Sequence, residues 1–334
     1  MRKQYTLTLL TIAPVSVGNG KTYTSKEYIL EDGYYYFPEM YKLYNVLRQK
    51  YPTKLDAFEK FLCEPKTARK TRLTEFLQNQ GITDRDFGGY KIKATGYETD
   101  RKNGILNEIK QFAKDPYGDP YIPGSSLKGA LRTILENEYF KTTNISWGAR
   151  AGKEFDDIFH NIRVVDSQVI DTDNLTLVQK WDYSYQKQQL KKLMIHREAL
   201  KPMTEVKFEI DAVGAEAIEL VEKLDQYSNQ HQKRYQEKYL NLIPQKKYVQ
   251  KNLKTALYLG AGSGFWSKVD MERVRLDRIG PRFGKIKMKG KGVFKLTKYY
   301  NKAKHNEKAF TLINNDENLY EMGKCIFSIE RAKK

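Results

Sequence analysis

The sequence predicts an α+β fold. Segments with the spacing of β-strands open the chain (4–15), recur in its second half (162–170, 205–210) and close it (324–329). Between them lie two stretches with helical spacing, 127–135 and 215–242, and the switch between the two periods marks a mixed architecture. At 334 residues the chain is long enough for one large domain or two ordinary ones.

The first strand ends at Pro14, before the glycine turn Val17-Gly18-Asn19-Gly20-Lys21-Thr22. This turn is like the end of a P-loop, but Val15 stands where the first P-loop glycine is required, so a Walker motif fails. Segments 27–30 and 34–37 flank Glu31-Asp32-Gly33 as a hairpin with an Asp-Gly turn. Residues 38–80 have helical spacing broken by Pro52 and Pro65, with Lys66, Arg69, Lys70 and Arg72 read as a solvated face, and 81–120 is turn-rich.

The next segment, Ile122-Pro123-Gly124-Ser125-Ser126-Leu127-Lys128-Gly129-Ala130-Leu131-Arg132, organises the chain. Pro123 and Gly124 end an extended stretch, and Ser125 or Ser126 is expected to cap the helix that follows. Leu127, Leu131, Ile134 and Leu135 form its apolar stripe. Lys128 sits badly against the positive end of a helix dipole unless an anion docks there; hydroxyls, free N–H groups and Lys128 would then all face that anion.

Residues 162–170 read as a buried strand, with Asp166 and Ser167 as a bulge or a hydrogen-bonded core pair. Segment 175–201 alternates aromatics and cations, among them Trp181, Tyr183, Lys191, Lys192 and Arg197, a pattern that suits single-stranded nucleic acid and also an exposed hairpin. Segment 205–210 has one buried face, and 215–242 reads as one long helix whose apolar spacing fades after Tyr227. In Leu257-Tyr258-Leu259-Gly260-Ala261-Gly262-Ser263-Gly264-Phe265-Trp266-Ser267-Lys268, three alternate glycines let backbone pass close to a ligand, with Phe265, Trp266 and Lys268 offering stacking and charge.

Lys and Arg total 59 against 41 Asp and Glu, a net charge of +18. Segment 268–304, which includes Arg278 and Arg282, holds 13 basic and 3 acidic residues, so 13 − 3 = +10. Such asymmetry points to a polyanionic partner. With Cys63 and Cys325 alone, neither a disulfide framework nor a zinc cluster is expected. The threonine-rich start is a poor signal sequence and no apolar run reaches a membrane span of ~20 residues, so a cytoplasmic protein is expected.

The strand ending in Pro14 with its Gly18-x-Gly20 turn, the 122–132 segment, Val165-Asp166-Ser167 and the glycine loop 257–268 occur in one order. Together they resemble the RAMP superfamily of CRISPR-associated proteins, most like the family of the fifth Csm subunit, the single-copy cap at the guide 3′ side of type III-A effector complexes. The resemblance implies a modified RRM/ferredoxin-like core, β-α-β-β-α-β. Its first strand and glycine turn (1–20) would be separated from the remainder (121–334) by a hairpin plus helical insertion (21–120), and 175–201 would be a thumb-like hairpin.

It further maps RNA-contacting motifs onto Gly124, Ser125, Ser126, Lys128 and Arg132 and onto Gly260, Gly262, Gly264 and Lys268; from the residues themselves Gly18, Gly20, Lys21, Trp181, Tyr183, Phe265, Arg278 and Arg282 are expected to contact RNA as well. The expected partners are single-stranded CRISPR guide RNA, neighbouring Csm backbone subunits and a recruited host nuclease. No cofactor, metal or membrane is expected. The implied role is non-catalytic: guide binding, support of guide maturation, antiviral defence.

Two alternatives stand beside it. A RAMP-type endoribonuclease would need a histidine base; residues 1–159 contain none, His160, His231 and His305 read as structural or surface groups, and His196 is the one candidate. Asp32 lies where a slicing aspartate would fall, but its Asp-Gly turn accounts for it. A protein-only assembly scaffold would use the basic stretch against acidic protein.

Overall fold

The computed structural model describes residues 1–63, 72–95, 106–140, 158–184, 187–243, 253–264, 267–268, 293–298 and 319–332. The first half comprises β1 (Arg2–Thr11), β2 (Gly18–Thr24), β3 (Ile29–Glu31), β4 (Tyr34–Phe37), α1 (Met40–Lys50), α2 (Leu55–Cys63), α3 (Leu73–Asn79), β5 (Tyr90–Lys93) and β6 (Glu108–Phe112). Then follow α4 (Gly124–Leu135), β7 (Ile162–Val164), β8 (Leu175–Ser184), β9 (Gln189–Leu200), β10 (Glu205–Val213), α5 (Ala215–Glu222) and α6 (Leu224–Lys238). The chain closes with β11 (Ala256–Tyr258), β12 (Val293–Lys298), β13 (Leu319–Glu321) and β14 (Lys324–Arg331).

Alternation in β1 and β10 builds the central sheet. Tyr5, Leu7 and Leu9, with Val206, Phe208, Ile210 and Ala212, turn one face inward, and Glu205, Lys207 and Glu209 stay exposed on the other. That apolar face receives Leu127, Leu131, Ile134 and Leu135 of α4 and Ile218, Leu220 and Val221 of α5 in one core. The sheet order is β11-β14-β1-β10-β7, with every pair antiparallel. Taken as β1, α4, β7, β10, α5–α6 and β14, its elements follow a strand–helix–strand–strand–helix–strand path in which β1 is flanked by the third and fourth strands.

A six-stranded sheet, β13-β12-β8-β9-β6-β2, lies beside it, and its β6–β9 pair is parallel. The 175–201 segment is a hairpin as expected, but β8 also pairs with β12 and β9 with β6, so both strands are interior. β2 runs across position 20, where the first segment was expected to end. The small sheet β3-β4-β5 packs with α1–α3, whose Leu43, Leu47, Phe58, Phe76 and Leu77 form a separate core. Asp32 (φ 50) turns its hairpin, as the Asp-Gly signal requires.

Three expectations need correcting. The regular strand at 162–170 stops at Val164: Val165 and Gln168 still donate to Glu209 and Lys207 of β10, but between them Asp166 and Ser167 turn to bond Gly124 and Ile122 at the start of α4. The helix at 215–242 breaks at Lys223 into α5 and α6. After Tyr227 the helix does not lose its packing: Ser228, His231, Gln232 and Tyr235 are buried, and polar side chains there hide the helical period. Pro52 divides α1 from α2 as expected, whereas Pro65 and the basic positions 66, 69 and 70 lie outside the described residues.

Candidate nucleic-acid interface

Three distant segments meet over the N-terminal end of α4. They enclose a cleft of about 440 Å³ lined by Val17 and Gly18, by Ser125, Ser126, Gly129, Ala130 and Thr133, and by Tyr258 to Ala261 with Lys268. The glycine turn, the start of α4 and the glycine loop are thus brought together.

The start of α4 is held differently from the expectation. Neither Ser125 nor Ser126 caps it: the N-cap position is Pro123, and the Gly124 N–H donates to Asp166 Oδ1 at 2.7 Å. The Asp166 carboxylate performs the capping from another segment, where it also favours the positive helix end. Ser167 supports it by accepting from the Ile122 N–H (2.9 Å), so the Asp-Ser pair is structural. Released from capping, Ser125 and Ser126 stand on the cleft wall. Gly124 is obligatory, since a Cβ there would lie 2.3 Å from the Val164 carbonyl oxygen.

The glycine loop forms the opposite wall. The Ala261 N–H donates to the Ser16 carbonyl at 2.7 Å, which lays the loop across the chain just before Gly18. Gly260 (φ +79) is so close that a Cβ would sit 2.3 Å from the same oxygen. Beyond the loop, Asn137 Nδ2 donates to the Lys268 carbonyl (3.2 Å), and His231 Nε2 lies 3.1 Å from the Ser267 carbonyl. His231 is in turn fixed by Arg234 (2.9 Å), which also pairs with Glu138 at 2.7 Å. Burial alone would raise the Glu138 carboxyl, but the hydrogen bond with His231 and the Arg234 charge hold it below the usual range. This buried cluster anchors the Lys268 backbone at the rim, where the side chain is exposed.

The geometry combines two hydroxyls, close-approach glycine backbone and one ammonium group beside a helix start that Asp166 already caps. These are the parts of a phosphate-backbone grip. Gly20 and Lys21 are exposed on the bulged β2–β6 edge without lining the cleft.

Lys128 also lies off the cleft lining, and Arg132 is turned away. Its Nε donates to Glu136 at 2.7 Å and its guanidinium lies 4.9 Å from the Phe159 ring centroid. Tyr183 is wholly buried with Leu240, Ile243 and Leu296, and Trp181 packs against that cluster. Tyr183 therefore has no ring face to offer a base, because the strand pairs on both edges and its apolar side closes a core. Gly262 and Gly264 continue the loop at φ +88 and +91. Phe265, Arg278, Arg282 and most of the basic stretch lie outside the described residues.

His196 is buried at 4 % exposure, which removes it as a base reaching bound RNA. Sequence reasoning missed Gly129 and Thr133, whose only signal was helical spacing from Ser125 and Ser126, and it missed the loop anchors Asn137 and His231. Among the described residues no His, Cys, Asp and Glu cluster could hold a metal, and no helix is long and apolar enough to cross a membrane.

Comparison with known proteins follows the same lines. The RAMP superfamily profile matches residues 8–320. The chain is 42% identical to the CRISPR system Cms protein Csm5 of Streptococcus thermophilus, over 99% of each chain. It is 29% identical to the protein of the same name from Mycobacterium tuberculosis, again over 99% of both. A chain of the cryo-EM structure of a Csm–crRNA–target RNA ternary complex of a type III-A CRISPR-Cas system superposes with a TM-score of 0.64 at 16% identity, over 98% of this chain and 100% of that one. The crystal structure of T. onnurineus Csm5 gives 0.55 at 19% identity, over 78% and 90%. At these identities the two structures speak to the fold.

Proposed function

The chain belongs to the RAMP superfamily and, within it, to the Csm5 family, and from that premise we propose that it binds CRISPR guide RNA as a subunit of a type III-A Csm effector complex. The observation that carries this reading is the cleft, where Gly18, Ser125, Ser126, Gly260 and Lys268 converge in a chain of net charge +18. The guide backbone lies against α4 and the glycine loop, gripped by hydroxyls, amides and Lys268, without base-specific contacts.

The five-stranded sheet with α4, α5 and α6 serves as the modified RRM/ferredoxin-like core. Residues 21–120 are the insertion, and β8–β9 is the counterpart of the thumb. In the complex the subunit sits beside Csm backbone subunits, closes the backbone at the guide 3′ side, and supports guide maturation in the cytoplasm, with a host nuclease as a recruited partner. It acts by holding RNA and not by cutting it: the buried His196 gives the endoribonuclease reading no base. The protein-only scaffold reading leaves the convergence of glycines, hydroxyls and Lys268 without a purpose.

The test is guide binding by Lys268→Ala and Arg132→Ala within the assembled complex. Loss of Lys268 flattens the salt dependence by about 0.7, the single-strand value for one phosphate. Arg132, already paired with Glu136, contributes less. Unchanged affinity and salt dependence in Lys268→Ala would remove the cleft from the account.

A further inference from the structure

Arg197 lies against the glycine loop at Gly262, outside the cleft lining. In β9 its neighbours His196 and Glu198 are buried. Glu198 is fully committed: Tyr90, the Phe112 N–H (2.8 Å) and Lys114 (2.5 Å) all donate to it. Alternation along the strand sends Arg197 the other way, up against Gly262 and Met322. A Cβ on Gly262 would stand 2.7 Å from Arg197 Nη1 and 3.1 Å from Met322 Cγ. Nε and Nη1 of this guanidinium are buried and have no acceptor among the described residues, although Arg197 as a whole is only partly buried. Loss of hydration lowers its pKa.

A shielded guanidinium without an acceptor is costly unless a ligand supplies one. We infer that Arg197 is a second anion-binding group of the interface, and that its ligand is a phosphate of the RNA strand crossing the glycine loop. The inference rests on the guide-binding reading. Gly260 lines the cleft and Gly262, two residues on, covers Arg197, so a strand leaving the cleft along the loop arrives over the guanidinium. The planar fork of arginine suits a phosphate bidentately, and binding includes a shift of the loop backbone that opens Nη1 to the strand.

The experiment compares wild type with Arg197→Met in the assembled complex, titrating single-stranded guide-like RNA across a salt series. The thermal midpoint of each free chain is measured alongside. Arg197→Met is expected to bind about tenfold more weakly, the equivalent of about 1.4 kcal/mol, with a salt slope flatter by about 0.7. The midpoint of the free chain stays level or rises, because an uncompensated charge has been removed. Arg197→Lys keeps the charge and the slope, and Arg197→Gln stands in should the methionine variant not fold.

Wild-type affinity and slope in Arg197→Met, beside normal salt-dependent binding by wild type, overturn the inference and leave the guide-binding reading intact. Wild-type RNA binding with weakened incorporation into the complex also overturns it, assigning Arg197 to an acidic protein surface. No binding by wild type at all removes the guide-binding reading and the inference together.

Discussion

Replacing Gly260 by alanine separates the seat of the glycine loop from its composition. At φ +79 an alanine pays ~1–2 kcal/mol for the left-handed region. The added Cβ would stand 2.3 Å from the Ser16 carbonyl oxygen, inside contact distance of backbone. Either the loop or the 16–17 segment must then move, which strains the 2.7 Å bond from Ala261 to Ser16 and costs a further ~1–3 kcal/mol. The expected loss is on the order of 2–5 kcal/mol by summing these two terms.

The control is Gly129→Ala, also on the cleft wall but helical and with nothing within 4 Å of the new Cβ. Helix propensity makes this change stabilising by about 0.5–1 kcal/mol. Urea midpoints and RNA affinity are measured on both variants. Gly260→Ala is expected to lower the midpoint and weaken binding; Gly129→Ala is expected to raise the midpoint with near-normal binding. A wild-type midpoint in Gly260→Ala would refute the seating of the loop on Ser16.

Three further outcomes follow from the same geometry. Asp166→Ala removes the carboxylate that caps α4 and should cost ~1 kcal/mol in urea unfolding, while Ser125→Ala, which caps nothing, should leave the midpoint unchanged. Tyr183→Ala opens a cavity in the cluster with Leu240 and Leu296 and should cost about 3 kcal/mol or more in the same assay; a stable variant with weakened RNA binding would restore its stacking role. Because Glu138 is held below the usual carboxylate range, its contribution is present above the unfolded value of about 4.3 and is lost as pH falls through the folded value. Urea midpoints between about pH 6 and pH 3 should therefore drop more for wild type than for Glu138→Gln, and equal drops would contradict the anchoring role.

The parts of this site legible in sequence were those whose chemistry is local. Glycines at alternate positions, two serines after Pro123 and the strand alternation of 205–210 each carry a constraint that a short window reveals, and the structure gathers Gly18, Gly260 and the two serines around one cleft. What sequence could not give was the partner of each group. Asp166 lies 42 residues from the N–H it caps, a separation at which no spacing rule operates, so the adjacent serines received its role. Arg132 looked free because its helix face is exposed, but Glu136 one turn on already pairs with it. Tyr183 shares its aromatic-and-cation pattern with true stacking strands, and only the pairing of β8 with both β9 and β12 reveals that the pattern closes a core. The buried second half of α6 escaped for the converse reason: His231 and Gln232 are polar, and periodicity counts only apolar residues.

The central claim is that the cleft over α4 holds guide RNA by its backbone. Its most direct test is the affinity of the assembled complex for single-stranded guide-like RNA across a salt series, with Gly129→Glu as the probe. Position 129 is exposed on the cleft wall with open space around it, so the fold tolerates the side chain while a carboxylate enters the cleft. The account predicts a folded variant that enters the complex normally and binds RNA at least about tenfold more weakly, the scale of one strong charged contact. Wild-type affinity in that variant, at every salt concentration, would contradict it.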